Sequence, residues 1–447
     1  MKQILIHNAT VVNEGKSTQQ SILIEGGIIK SILPVRNKEE IKVENSIDAT
    51  GLYLLPGVID DHVHFRDPGL TQKGDITSES RAAAAGGVTS IMDMPNTSPQ
   101  TTTIKALEEK FKLMEEKCLV NYSAYFGATN QNIDQLALLD SKSVCGVKVF
   151  MGASTGNMLV DRIQVLQQIF EKSPLLIATH CENQDSIRKN TALYKDKNNG
   201  AEDLPLKYHP LIRSEEACYQ SSELAVKLAK ESGARLHLLH LSTAKELNLL
   251  EQKPLTEKQI TAEVCVGHLL FCDDDYENMG TKIKCNPSIK TKGDREALRK
   301  GVENGLIDVI ATDHAPHLPK DKEGGALKAA SGIPTIQFSL LSMLELCNEK
   351  HFTIETVVDK MCHAPASIYN INNRGYIREG YQADLVLVKP NSPWTVKSED
   401  IQSSCKWSPF EGKIWNWQIV NTFINGSLVY NQGEINEDSR GQQIKFK

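Results

Sequence analysis

The 447-residue sequence predicts an α/β protein: a (β/α)8 TIM barrel carrying a small β-sandwich built from both ends of the chain. Three observations predict it. Strand-like, turn-rich stretches occupy the first 55 residues and return after residue 371. Between them, short apolar strands alternate with amphipathic helical stretches, the pattern of βα repetition and a parallel sheet. Polar, chemistry-bearing residues then recur just past the carboxyl ends of those strands, where a barrel of this class collects its active site.

The first strands read as Ile4-Leu5-Ile6, Thr10-Val11-Val12 and the run from Ser21 to Ile29, in which Gly26-Gly27 is a hairpin turn. Matching patterns recur in Ala383 to Val388, Ile419 to Ile424 and Leu428-Val429-Tyr430, with Asn425-Gly426 as a second hairpin signal. Two-stranded pieces are marginal alone. Residues 1–55 and 372–447 are therefore expected to join into one composite β-sandwich, and residues 56–371 to form the barrel.

Eight candidate barrel strands follow in order: Gly57 to Asp60, Ser90 to Asp93, Asn121 to Tyr125, Gly146 to Val149, Leu175 to Ala178, Leu236 to Leu239, Ile260 to Val264 and Asp308 to Ala311. Helical stretches such as Glu79 to Ala85 and Glu215 to Glu231 lie between them. The alanine run ending at Gly87 is a helix and its end, and does not have the character of a phosphate loop.

Composition narrows the function. The net charge is −6 with no long block of like charge, so nothing marks a nucleic-acid or anionic-lipid surface. No apolar run approaches the length of a membrane span, and the amino end lacks the apolar stretch of a signal peptide, so a cytoplasmic location is expected. Ten cysteines include no closely spaced pair and read as buried thiols. Any metal must then be held by histidine and carboxylate.

Such residues stand after the strands: His62 and His64 after the first, Lys148 in the fourth, His180 after the fifth, His240 after the sixth and Asp313 after the eighth. Alternation in His62-Val63-His64 throws both imidazoles to one face, which suits two ligands of one metal or a polar rim network. Four histidines and an aspartate converging on one rim weaken the network reading, because desolvating them together without a metal is costly. Lys148 sits in the apolar run Gly146 to Met151, and three readings compete: a salt-bridged core lysine, a Schiff-base nucleophile, or a carbamate bridging two metals. The carbamate turns a buried cation into the anion that two divalent cations need between them. His7, His209 and His351 fall outside the rim pattern and read as surface residues, whereas His237 reads as a packed strand histidine.

The set Asp61 to Gly69, Ala82 to Thr89, Met94-Pro95-Asn96-Thr97, Val147 to Gly152, His180-Cys181-Glu182, His240 to Thr243, Asn286-Pro287 and Thr312 to His317 resembles the amidohydrolase superfamily of cyclic-amide hydrolases, and within it the dihydroorotase family, over nearly the whole chain. The resemblance implies two Zn²⁺ ions per subunit. His62, His64 and Asp313 would hold one and His180 and His240 the other, with N6-carboxylated Lys148 and a hydroxide between them. Two close divalent ions lower the pKa of a shared water and polarise an amide carbonyl. Asp313 would then carry the proton to the leaving ring nitrogen as general acid/base. Glu263 and His268 resemble a family motif and are expected to orient neighbours.

The metals do not choose the substrate, since related enzymes with the same cluster open hydantoins, dihydropyrimidines or allantoin. Arg66, two residues past His64 and on the same face, offers a guanidinium that matches a ring carboxylate. In the dihydroorotase pattern Arg66, Asn96 and His317 bind that carboxylate, and Asn286 contacts the ring. Asn286 is followed here by Pro287-Ser288-Ile289-Lys290 where Pro-Pro-Leu-Arg is commoner. Residues 318–335 read as an active-site loop, with backbone near Pro334 and Thr335 expected at the substrate. The implied reaction is reversible cyclisation of N-carbamoyl-L-aspartate to L-dihydroorotate, the ring-closing step of pyrimidine synthesis. The rival expectations are an allantoinase or hydantoinase/dihydropyrimidinase, and a catalytically silent scaffold subunit. The expected partners are the small-molecule substrate and a second copy in a homodimer, with neither nucleic acid nor membrane.

Overall fold

The structure is a computed structural model that describes residues 3–34, 43, 45–152 and 158–447. Five strands open the chain: β1 (Gln3–Asn13), β2 (Lys16–Glu25), β3 (Ile28–Pro34), β4 (Asn45–Asp48) and β5 (Tyr53–Pro56). The barrel strands follow as β6 (Val58–Val63), β7 (Val88–Asp93), β8 (Asn121–Ala124) continued by β9 (Phe126–Gly127), β10 (Val147–Phe150), β11 (Ile177–His180), β12 (Leu236–Leu238), β13 (Ile260–Cys265) and β14 (Val309–Ala311). All adjacent pairs among them are parallel, from β6 to β8 and from β9 to β14.

A polar seam closes the ring between β14 and β6. Thr312 donates from Oγ1 to Asp60 Oδ2 (2.6 Å), and its N–H and that of His62 share Asp60 Oδ1. Beyond the seam, the His64 N–H donates to the His314 carbonyl at 2.8 Å. One carboxylate thus ties both strands at the point where the first and last clusters of polar residues must meet.

After the barrel come β15 (Leu385–Lys389), β16 (Trp394–Thr395), β17 (Ile414–Trp415), β18 (Gln418–Ile424), β19 (Ser427–Asn431) and β20 (Glu434–Ile435). The two ends of the chain merge where β15 lies antiparallel to β5, giving the order β20-β19-β18-β15-β5-β1-β2-β3, with β4 also on β1. This sheet buries its own apolar cluster, including Ile6, Ile22, Leu54, Leu385 and Phe423. Both glycine turns fall where their sequences place them. Gly26-Gly27 joins β2 to β3, and Asn425-Gly426, both at positive φ, joins β18 to β19. The last residues return to the barrel, where Ile444 and Phe446 pack with Ile59, Met92 and Ala178.

Helices cover the barrel as their caps dictate. Asp75 caps the helix Ile76–Ala85 and Ser214 caps Glu215–Ser232. All ten cysteines are free, nine of them buried and Cys347 half-buried. Among the described residues no helix is long and apolar enough to cross a membrane.

Two histidines expected at the surface are buried. His7 is 7 % exposed, on β1 beside Asn8. His209 is 1 % exposed and bonds through Nε2 to the Cys285 carbonyl at 2.9 Å, because residues 209–212 fold as a short helix over the loop that carries Asn286. That tertiary contact leaves no periodic trace in the sequence.

Candidate metal centre

Four imidazoles form an arc across the barrel mouth. Ring centroids are 5.4 Å apart for His64 and His62, 5.3 Å for His62 and His240, and 4.6 Å for His240 and His180. Asp313 Oδ1 lies 3.0 Å from His64 Nε2 and 3.3 Å from His62 Nε2, so one carboxylate just past β14 meets both histidines at the end of β6. The donor atoms of these three residues all lie within 4.8 Å of one another.

His62, His64 and His180 each have one nitrogen held by a neighbour outside the candidate ligand set, which leaves the other for a ligand. The Nδ1 of His62 bonds Glu263 Oε1 at 2.6 Å, the Nδ1 of His64 bonds Asn96 Oδ1 at 2.7 Å, and the Nε2 of His180 bonds Glu182 Oε2 at 2.9 Å. This is the arrangement that fixes the tautomer and aim of a metal-binding histidine. The Nδ1 of His240 is buried with no hydrogen-bond partner among the described residues. Glu263 serves two strands at once, since it also accepts the His240 N–H at 2.9 Å. Its further neighbour is His237, packed inside the barrel 3.3 Å from Asp61. His268 bonds the Pro287 carbonyl through Nε2.

Electrostatics favour the neutral, ligand-ready form of His64, His180 and His240, whereas at His62 burial is outweighed by the Glu263 and Asp313 carboxylates, which raise it. Burial pushes His64 down to about 4 and His240 well below the ordinary histidine range, so both are neutral near pH 7. Burial alone would raise Asp313, but the His62 and His64 imidazoles reverse this and hold it at about 2. Lys148 is 1 % exposed, and burial lowers its amine to about 8. Among the described residues it makes no ion pair or hydrogen bond; its ammonium nitrogen stands 4.7 Å from the Phe150 ring centroid. No described residue therefore holds Lys148 by a salt bridge.

Backbone strain collects on the same rim. Arg66, His240 and Asp313 have φ of 62°, 38° and 47°, each just past a strand end. Such conformations persist only where the surroundings over-determine them, and they concentrate at functional sites. Asp93 holds the Arg66 turn by accepting the Phe65 N–H at 2.9 Å, and is itself paired with fully buried Lys110 at 2.8 Å.

The cleft above the arc has a volume of about 610 Å³. It is lined by His62, His64, Lys148, His180, His240 and Asp313, and also by Arg66, Asn96, Asn286 and His317. Arg66 Nη2 lies 3.2 Å from His317 Nε2, and its Nε donates to the Pro316 carbonyl. Burial and the charges of Arg66, Lys73 and Lys322 push His317 down to about 2. Positive charge therefore gathers on this flank of the cleft. Asn286 Oδ1 is buried with no hydrogen-bond partner among the described residues.

Pro334 and Thr335, expected at the substrate, do not line the cleft; Ala330, Ser331 and Gly332 do. Ile333 pairs with His314 in a short bridge and Thr335 Oγ1 donates to the Thr312 carbonyl, which turns the following residues down behind the rim. Arg213, Arg188 and Gln184 also line the cleft and were not singled out from the sequence. Arg213 donates to Glu182, the residue that orients His180. Glu182 lies two residues past His180, where β11 ends, and the motif His180-Cys181-Glu182 is the one signal that pointed toward this pair.

The family model described as "Amidohydrolase family" matches residues 53–429. The chain belongs to the amidohydrolase family. Curated relatives of this family include a dihydroorotase of Lactobacillus johnsonii, 31 % identical over 96 % of this chain and 99 % of its own length. A dihydroorotase of Methanosphaera stadtmanae is 32 % identical over 93 % and 94 %, and one of Halobacterium salinarum is 34 % identical over 86 % and 88 %. Among solved structures, an L-hydantoinase (dihydropyrimidinase) from Arthrobacter aurescens superposes with a TM-score of 0.92 at 28 % identity, covering 98 % of each chain. A dihydropyrimidinase from Brevibacillus agri, at 23 % identity and a TM-score of 0.86, shares the fold.

Proposed function

We propose that this amidohydrolase is a dihydroorotase that interconverts N-carbamoyl-L-aspartate and L-dihydroorotate in pyrimidine synthesis, using two zinc ions. The observation that carries this reading is the buried Arg66–His317 pair, with Asn96, in the same cleft as the histidine arc and Asp313. A hydantoin or dihydropyrimidine ring carries no carboxylate for that guanidinium to meet. His62, His64 and Asp313 would hold one zinc and His180 and His240 the other, with N6-carboxylated Lys148 between them. The unpaired amine of Lys148 and the free nitrogens of the oriented imidazoles support this assignment.

When bound, the metals supply an activated water and a Lewis acid for the amide carbonyl. The remaining work falls to side chains. Arg66, His317 and Asn96 orient the ring through its carboxylate. Asn286 Oδ1 is free to accept a ring N–H. Asp313, ionised at neutral pH, takes a proton in the hydrolytic direction and delivers it to the departing ring nitrogen. In the reverse direction ring closure removes one carboxylate charge and consumes one proton, so each unit fall in pH favours cyclisation about tenfold. We further assign the chain to the cytoplasm as a homodimer, to be read from its mass in solution.

The test is metal analysis of the purified chain coupled with a panel of L-dihydroorotate, dihydrouracil, hydantoin and allantoin. The expected result is two zinc ions per chain and turnover of dihydroorotate far above the rest. Preferential opening of hydantoin or dihydrouracil would assign the site to those rings instead, and a metal-loaded chain inert on all four would make it a scaffold.

A further inference from the structure

Among the described residues, Lys284, Lys290 and Lys322 are lysines outside the metal centre that are buried without an ion pair, and Lys322 and Lys284 are joined to each other beside the cleft. Lys322 and Lys284 are 6 % and 3 % exposed, and among the described residues neither forms an ion pair. Lysine is almost never buried unpaired, so the partners it does have are informative. The three N–H donors of the Lys322 ammonium are matched by three main-chain carbonyls, those of Ala330 (2.8 Å), Gly332 (2.8 Å) and Lys284 (3.0 Å). Lys284 in turn donates through its side chain to the Ala329 carbonyl.

These acceptors come from the two chain segments that wall one side of the cleft. Ala330, Ser331 and Gly332 line it directly, and Lys284 stands two residues before Asn286, which also lines it. The Lys284 carbonyl accepts from both the Lys322 ammonium and the Gly332 N–H (2.9 Å), so the two segments are stapled at one point. Ser331 then presents its carbonyl to His317 Nε2 at 3.1 Å. Gly332 has no room to adjust: at φ 149°, an added Cβ would lie 2.4 Å from the Ala315 carbonyl oxygen and 2.9 Å from His317 Cδ2. A charge-assisted bond to a carbonyl is stronger than a neutral one, and three converging on a single ammonium fix residues 329–332, which belong to no strand or helix.

We infer that Lys322, backed by Lys284, is a positioning residue for recognition of the substrate's carboxylate. By gathering the Ala330, Gly332 and Lys284 carbonyls onto one amine it sets the Ser331–His317 contact and the approach of Asn286. This rests on the reading of the site as a dihydroorotase. The metal arc lies outside the staple, so its effect falls on substrate binding.

Lys322→Met keeps length and apolar bulk and removes the three donors. In the zinc-loaded full chain it is expected to raise KM for L-dihydroorotate about tenfold or more, to change kcat much less, and to leave the zinc content as in the wild type. Amide exchange in residues 329–333 is expected to quicken about tenfold, a readout that does not depend on which ring the enzyme opens. In a double variant with Arg66→Met, the KM effect of Lys322→Met is expected to shrink, since both act on the same carboxylate. Lys284→Met, which removes only the supporting contact, should give the same pattern in weaker form and serves if Lys322→Met does not fold. Unchanged exchange in residues 329–333, or a fall in kcat and zinc content at constant KM, would overturn the proposal. A wild-type chain that does not turn over dihydroorotate, with exchange in residues 329–333 still quickened by Lys322→Met, would overturn the substrate assignment and leave the staple standing.

Discussion

The two flanks of the cleft are held in different ways. On the metal flank, the candidate ligands sit at strand ends and are aimed by neighbouring side chains: Glu263 holds His62, Asn96 holds His64 and Glu182 holds His180. On the carboxylate flank the fixed element is main chain in a loop, held by the Lys322 and Lys284 ammonium groups, while Trp407 Nε1 donates to the His317 carbonyl at 2.7 Å. The barrel supplies rigid positions for chemistry, and the loop supplies positions for specificity that must be fastened one carbonyl at a time. Damage to the first flank should therefore appear in kcat and metal content, and damage to the second in KM and substrate preference.

The largest effect is expected from Asp313→Asn. The amide cannot carry a proton between water and ring nitrogen, and kcat should fall by about 10²–10⁴ in steady-state assays of dihydroorotate opening. A near-normal kcat would remove Asp313 from the proton path. Glu263→Gln keeps the size of the side chain but takes away the charge that orients His62. Metal affinity, measured by competition with a chelator, should drop about 10- to 100-fold, with KM of the reloaded enzyme little altered. If zinc is retained as in the wild type, the orienting role assigned to Glu263 is wrong. Trp407→Phe deletes one neutral hydrogen bond to the His317 backbone, so a rise in KM of about two- to tenfold is expected with unchanged zinc. A change in zinc content there would blur the division between the flanks.

That division also explains what could be read from the sequence. His62 and His64 were legible because alternation fixes their common face, and Lys148 because an amine within Val147 to Phe150 contradicts its surroundings. The eight barrel strands were legible as apolar runs, with ends shifted by up to a few residues. The loop flank was not. Pro334 and Thr335 were expected at the substrate, yet the turn at Gly332 and the Ile333–His314 bridge put residues 330–332 on the cleft wall instead. Main-chain contacts made by a loop depend on packing against distant segments and carry no residue signature. His209 and Arg213 escaped for the same reason, since the segment that carries them folds back over the rim. The positive φ of Arg66, His240 and Asp313 is likewise a property of the closed barrel, invisible in one dimension.

The most direct test of the central claim, that a guanidinium beside the metal site selects a carboxylated ring, is the ratio of kcat/KM for L-dihydroorotate to that for dihydrouracil in wild type and Arg66→Met. Loss of the charged partner should lower that ratio at least about tenfold while zinc content stays the same. An unchanged ratio in a fully zinc-loaded variant would contradict the account.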